Sequence, residues 1–540
     1  MNTPVVNVNV QDFTQQASTP ATGIVCVSGV TRRGPINDPS ILISTMNQFE
    51  ALYGGAAPKS MFAADAKGLD KFHIYVQRML AYGARLRINR ITHRAGQSET
   101  TEEVEAKKAT AISVKMNITP RDGSATPTEI FKVQPKYAGA DYNGIQVVVS
   151  ASTNGNPKAF DLKLVWPNNP DLSESYSAVP LPDPNVEWAK QTFLNNLNKL
   201  SSIATFIKAE TEPTVPAEAT IAIVPATTAF TGGSDGAAVV DADFIGDGTD
   251  NGFHAFDTVS DSMIVAVPGA RIDAIHTAGV AYATLRQDMV YYGSVLAVPG
   301  KAEDACTEKD EAIGDTEYAQ ISTGGIRHYD TATDTEIELD EIADTIGLTV
   351  WTHNNRGAWF DPASKQSATV LNALGVVQNF GTPARISELN TLANHGINAM
   401  VYRDGAIEWT SSYTSQKTNS ALSFVSTMFL VFYIKNTMLP VYRSYLKEPC
   451  DTVTFKNMWN QIRPFLDNLA RTSSRALWKY EYLGDQDASS LDTLVVNQKN
   501  DVQIGKYKAY LKLWLIVPMI EVTLNIMLVQ GDGEVGIEIA

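Results

Sequence analysis

Hydrophobic and polar positions alternate strictly near both ends of the chain. Val6, Val8 and Val10 are spaced by Asn7 and Asn9, and Val535, Ile537 and Ile539 by Gly536 and Glu538. Period-two alternation places one set on each face of a half-buried strand. The first strand has no local partner, because Thr14 to Gly23 is small, polar and linker-like. Neither strand carries a Lys to blunt its edge, and only Pro4 stands at the entrance of the first. Open strands of this kind predict arms that complete their sheets with neighbouring copies. The C-terminal strand has a second arrangement open to it. Gly531-Asp532-Gly533 is a hairpin signal, so 534–540 could instead fold back on 522–530.

Between the arms the pattern changes texture twice. A strand at Ile24 to Val30 is followed by a helix over Met46 to Tyr53 and a second over Lys67 to Tyr82, whose apolar residues recur at helical spacing. Gly54-Gly55 and Gly83 end these helices, and a strand follows at Arg85 to Thr92. From about Ser113 to Ser234 short alternating strands are broken by Pro/Asn/Gly-rich turns, with one helix at Glu187 to Leu200; this predicts a β-rich insertion. Alternating strands and helices return with strand Met263 to Val267, helix Ile272 to Arg286 and strand Val290 to Ala297. Farther on come strand Asn398 to Arg403, an apolar helix at Leu422 to Ile434, an amphipathic helix at Phe455 to Ala470 kinked at Pro464, and strands Tyr507 to Val517 and Val522 to Gln530.

The expected fold is therefore multidomain, α/β and α+β. Of its parts, the pattern itself gives the β-rich insertion. A chain of 540 residues, 44% hydrophobic and 19% charged, has ample material for several folded domains. Its net charge of −16 argues against general nucleic-acid binding, which needs Lys and Arg to neutralise phosphates. Cys26, Cys306 and Cys450 are isolated and read as buried small hydrophobes of a reducing compartment. No secretory signal is visible, and the greasiest run, Leu422 to Ile434, is short of the ~20 residues that span a bilayer.

Enzyme-like patterns are present but poorly supported. Gly232-Gly233-Ser234-Asp235-Gly236 satisfies G-x-S-x-G, yet no hydrophobic strand precedes it and no helix follows. A serine hydrolase using Ser234, with His254 and His276 as distant partners, is the catalytic alternative. Asp241, Asp243, Asp247 and Asp250 resemble a calcium loop, but Ile245 and Gly252 occupy positions that should hold ligands. No metal and no cofactor is expected.

Several segments in order carry a family resemblance: TGIVCVSGVTRRGPINDPSILISTMNQFEALYGG (22–55), YGARLRINRIT (82–92), MIVAVPGARIDAIHTAGVAYATLRQDMV (263–290), HNNRGAWFDPAS (353–364), LNTLANHGINAM (389–400) and NQKNDVQIGKYKAYLKLWLIVPMIEVTLNIMLVQ (497–530). Together they resemble the tail sheath protein of contractile-tailed bacteriophages and related contractile injection particles. The chain departs from that pattern at Phe360 to Ser364, at Trp409 to Thr414 and at Ser426-Thr427-Met428. For the layout of the chain the resemblance implies a discontinuous middle α/β domain at 19–112 and 236–375, an outer insertion at 113–235, an inner α+β domain at 376–530, and arms at 1–18 and 531–540.

The resemblance implies a virion structural subunit, assembled in the host cytoplasm, that stacks in hexameric rings around a tail tube and contracts to drive the tube through the host envelope. The implied partners are further copies of the chain, the tube protein, and baseplate and tail terminator proteins, with no direct nucleic-acid contact and no membrane insertion. The arms at Val6, Val8, Val10, Val535, Ile537 and Ile539 would link subunits. Lys456, Arg463, Arg471, Arg475 and Lys479, opposed in their segment by Asp467 alone, become candidates to face the tube. Arg85 and Arg87, on one side of a strand in an acid-free stretch, are candidates to pair with a neighbouring subunit. A non-contractile self-assembling shell protein is the structural alternative.

Overall fold

The computed structural model describes residues 22–519, apart from 64–67, 95–104, 122, 182–185, 210–219, 272, 296–299, 366, 368, 419, 485–496 and 498. Both predicted arm strands, and the strand predicted at Val522 to Gln530, lie outside the described residues. The chain divides into two compact units at Pro440/Val441, inside the helix Val425–Ser444.

The larger unit is organised by an eight-stranded sheet. Its order is Ala406–Trp409, Ile397–Arg403, Ala319–Thr323, Val290–Ser294, Ile264–Ala266, Ile24–Gly29, Arg85–Arg90 and Leu42–Ile43. The inner six strands are parallel, and each edge strand is antiparallel to its neighbour. Parallel strands need crossover helices, which cover both faces and make the strands apolar on both sides. Ile24–Gly29 shows the effect: all six residues are buried. Cys26 enters one core with Ile275, Ala305 and Leu392, while Val25 and Val27 enter the other with Phe49, Phe72, Ile346 and Phe429.

Local signals account for several of these elements. Thr45 caps the helix Met46–Tyr53 by accepting from the Gln48 amide, and Gly54 ends it at a φ of 83° that favours glycine. The second predicted helix begins with a short 3-10 turn at Leu69–Lys71 and is α-helical over Phe72–Ala81. The apolar helix predicted to end near Ile434 continues to Ser444. Predicted domain boundaries and sheet membership diverge at one place. Strands Ile397–Arg403 and Ala406–Trp409, assigned from the sequence to the inner domain, complete the large sheet through pairing with Ala319–Thr323. Strand partners are set by long-range packing, which a local pattern does not report.

The insertion consists of two four-stranded antiparallel sheets around one core. One sheet runs Thr220–Ile223, Ile112–Thr119, Thr126–Pro135, Ala204–Lys208; the other runs Ala226–Ala229, Gln146–Ala151, Ala159–Val165, Glu174–Pro180. The rings of Phe131, Phe160 and Phe206 meet between them, with centroids 6.0 Å apart in both Phe131 pairs. Helix Glu187–Leu200 has the predicted bounds and adds Leu194 and Leu197 to this core. Of the three cysteines, Cys26 and Cys306 are buried as expected, whereas Cys450 is half-exposed; all three are free.

Candidate assembly interface

Sheets of this doubly wound kind take ligands beyond the carboxyl ends of the strands, where the chain's winding reverses. Here the reversal lies between Ile24–Gly29 and Ile264–Ala266, and the protein's own residues fill it. A Cβ at Gly29 would sit 2.2 Å from the Phe72 ring, and one at Gly269 would sit 2.4 Å from the Gly68 carbonyl oxygen. Nearby, Glu308 on the helix Ala302–Ala312 is half-buried beside Asp273 and Asp340. Burial and those two carboxylates, partly offset by Arg271, push its carboxyl up from 4.5 to about 7.

A raised carboxyl favours the fold where it stays protonated. The contribution of Glu308 is therefore full below about pH 4.5 and is lost as the pH rises through about 7. Glu308→Gln is expected to remove this slope, so that the difference in denaturation midpoint between variant and parent grows from pH 5 to pH 8 in the variant's favour. A constant difference would show that Glu308 titrates normally.

The G-x-S-x-G segment is a closed turn. Contrary to expectation a short strand, Ala226–Ala229, precedes it and a five-residue helix, Asp241–Ile245, follows, but neither adjoins Ser234 as a nucleophile elbow requires. Ser234 pairs through its backbone with Lys107, and its hydroxyl accepts the Gly236 amide at 3.1 Å. Asp235 accepts the Ala140 amide at 2.8 Å. His254 contacts Asp257 and His276 contacts Tyr291, so neither histidine is assembled with Ser234. In the acidic loop, Asp247 accepts from Thr249, Asn251 and Arg94, and Asp243 accepts from Val240 N and contacts His93. Among the described residues no group of three or more His, Cys, Asp or Glu is placed to hold a metal ion. Among them, too, no helix is long and apolar enough to cross a membrane.

Arg85 and Arg87 find partners within the chain. Nε and Nη2 of Arg87 donate to the Asp261 carboxylate at 2.8 and 2.5 Å, and Nη1 donates to the Ser40 carbonyl at 2.7 Å. Arg85 Nη2 donates to the Thr22 carbonyl at 2.8 Å, which ties down the chain just before its first sheet strand. Two of the segments that depart from the resemblance, Phe360 to Ser364 and Trp409 to Thr414, meet: Ser412 donates to Asp361 at 2.8 Å.

The five candidate bases sit on the smaller unit. Its helix Thr452–Leu469 is capped by Asp451, which accepts the Thr454 amide at 2.8 Å. The helix buries Phe455, Met458, Ile462, Leu466 and Leu469, and it runs through Pro464, which lies on the exposed side. Strands Leu477–Leu483 and Tyr510–Leu515 pair antiparallel beside it. Trp459 stacks flat on Tyr482, centroids 4.3 Å apart and planes 4° apart, and Tyr482 exchanges hydroxyl contacts with Tyr442 (3.2 Å) and Tyr507 (2.5 Å).

All five bases are exposed. Arg463 lies 3.4 Å from Asp467 one helical turn on, and the Lys479 ammonium lies 4.9 Å from the Trp514 ring centre. Lys456, Arg471 and Arg475 have no carboxylate partner among the described residues. Sequence reasoning passed over the aromatic residues on these two strands: Trp478 is 75% exposed, Tyr510 59% and Trp514 42%. The signal was available, since Tyr510, Lys512 and Trp514 alternate with Leu511, Leu513 and Leu515 and must share the outer face.

No family model and no curated protein matches the chain. Solved structures do match. The sheath tail protein from Listeria innocua aligns over 93% of this chain and 97% of its own, with a TM-score of 0.56 at 12% identity. The sheath tail protein from Desulfitobacterium hafniense aligns over 91% of this chain and 98% of its own, with a TM-score of 0.50 at 13% identity. At such identities the likeness is one of fold, and it extends over both units and the insertion.

Proposed function

We propose that this chain is the non-catalytic structural subunit of a contractile tail sheath. Copies would polymerise as stacked hexameric rings around a tail tube, dock on baseplate and terminator proteins at the two ends, and shorten to drive the tube through a host envelope. The observation that carries the reading is the near full-length fold likeness to the sheath tail protein of Listeria innocua. The alternation of apolar and polar residues at Val6, Val8, Val10 and at Val535, Ile537, Ile539 supports it, since that sequence pattern suits strands that link copies. Assembly would take place in the host cytoplasm, and the finished subunit would reside in the virion tail.

In this reading the exposed bases Lys456, Arg463, Arg471, Arg475 and Lys479 face the tube, because on an acidic protein they are exposed cations whose own segment supplies Asp467 alone as an acid. The test is sedimentation of three proteins: the intact chain, a truncation ending at Gln530, and the triple variant K456E/R471E/R475E. The intact chain is expected to pellet as large assemblies, and the truncation to stay soluble. Pelleting of both would favour the fold-back hairpin over strand exchange. The triple variant should still pellet alone but capture its tube protein about tenfold less well at 0.1 M salt, at roughly 0.5 kcal/mol per exposed contact. Unchanged capture would remove these residues from the tube face.

A further inference from the structure

We infer that the β-rich insertion is fixed to the core sheet by a joint of buried guanidinium groups and moves with the core as one rigid body. The joint centres on Arg33, whose side chain is 4% exposed. Its Nη1 donates to Asp141 of the insertion at 2.6 Å. Its Nη2 donates to the Glu50 and Ala51 carbonyls at 2.7 and 3.2 Å, in the last turn of the core helix Met46–Tyr53. The ring of Trp166, also from the insertion, lies 4.6 Å from its guanidinium carbon. One side chain thus engages a carboxylate and an aromatic face of the insertion and the end of a core helix.

Two further arginines repeat the connection. Arg32 Nε takes the other oxygen of Asp141 at 2.7 Å. Arg90, at the end of the strand Arg85–Arg90, is fully buried and ion-pairs with no carboxylate among the described residues. Its Nη1 instead donates to the core carbonyl of Gly34 at 3.0 Å and to the insertion carbonyl of Ala138 at 2.7 Å. Burial pushes this guanidinium down to about 10, so the two carbonyls only partly replace its lost hydration.

The backbones are also in contact at the joint: a Cβ on Gly139 of the insertion would lie 3.5 Å from the core carbonyl of Arg32. The returning chain is held as well, since the Val239 amide donates to the Met61 carbonyl at 3.0 Å. Interfaces between mobile domains of one chain are ordinarily polar and wet, so their contacts exchange readily with water. Here Arg33, Arg90 and Asp141 are desolvated, while Arg32 is about half exposed, and swinging the insertion away would strand the buried charges unpaired. The joint is independent of the sheath reading; if that reading holds, any rotation of the core carries the insertion through the same angle.

The test is a distance distribution measured on the dissolved monomer. Spin labels are placed at Lys199→Cys on the insertion helix and Thr307→Cys on a core helix, both exposed, in a Cys450→Ser background. The parent is expected to give one narrow distance. Asp141→Ala should broaden it while far-ultraviolet circular dichroism is unchanged, and Arg33→Lys, which keeps the charge but loses the fork and the stack, should broaden it less. A broad or bimodal distribution in the parent would overturn the inference even if Asp141→Ala fails to fold. A distribution in folded Asp141→Ala as narrow as the parent's would overturn it too.

Discussion

Asp344→Ala is expected to destabilise the larger unit by about 3–5 kcal/mol, because it leaves a buried guanidinium without its counter-charge. Asp344 is fully buried, and Arg78 is 5% exposed. The carboxylate accepts Arg78 Nε at 3.0 Å, Arg78 Nη2 at 2.6 Å and the Tyr82 hydroxyl at 2.7 Å. Arg78 also donates to the Leu371 carbonyl at 2.7 Å, and the Tyr82 hydroxyl accepts the Leu371 amide at 2.8 Å. The cluster therefore ties the helix Phe72–Ala81 to the helix Ile342–Asn355 and to the segment at 371. Removing both charges as Arg78→Met/Asp344→Leu should recover much of the loss, since apolar replacements of a buried pair are often tolerated. Denaturant unfolding of the two single variants and the double variant gives the coupling directly. A single-variant cost below about 1 kcal/mol would mean that water reaches the pair.

Trp459→Ala is expected to remove about 3 kcal/mol from the smaller unit. Among the described residues the strands Leu477–Leu483 and Tyr510–Leu515 pair only with each other, and a two-stranded pair is marginal in water without a helix packed beside it. Trp459 of the helix Thr452–Leu469 lies flat on Tyr482 and edge-on to Tyr480, the latter with centroids 6.2 Å apart. Its loss should also loosen the hydroxyl chain through Tyr482 and Tyr507. Amide exchange over Leu477–Leu483 is expected to accelerate, with exchange over Ile24–Gly29 unchanged. Unchanged exchange at both places would show that the stack contributes little.

How far the sequence reveals these features depends on the range of the interaction. Met46–Tyr53 and Glu187–Leu200 are legible because their apolar spacing, and for the first its cap and stop glycine, lie within the segment itself. Ala302–Ala312 was passed over. Its buried side is made of Ala302, Ala305, Cys306, Lys309 and Ala312, too small or too polar to give a hydrophobic stripe. Lys309 is tolerated there because its ammonium donates to the Ser415 carbonyl at 2.9 Å, more than a hundred residues away.

The candidate interface divides in the same way. The exposed bases of the smaller unit are legible because their own helix and turn supply few acids. The pairing of Arg87 with Asp261 is not legible, since nothing near either residue announces the other. The arginine joint is equally hidden: Arg32, Arg33 and Asp141 look like ordinary surface charges until the fold brings them together.

Negative-stain electron microscopy of the purified intact chain, concentrated under conditions that favour association, tests the central claim most directly. The account predicts hollow tubes built of stacked rings. Closed shells would support the self-assembling alternative without a tail, and discrete monomers at every concentration would contradict the claim that this protein is a sheath subunit.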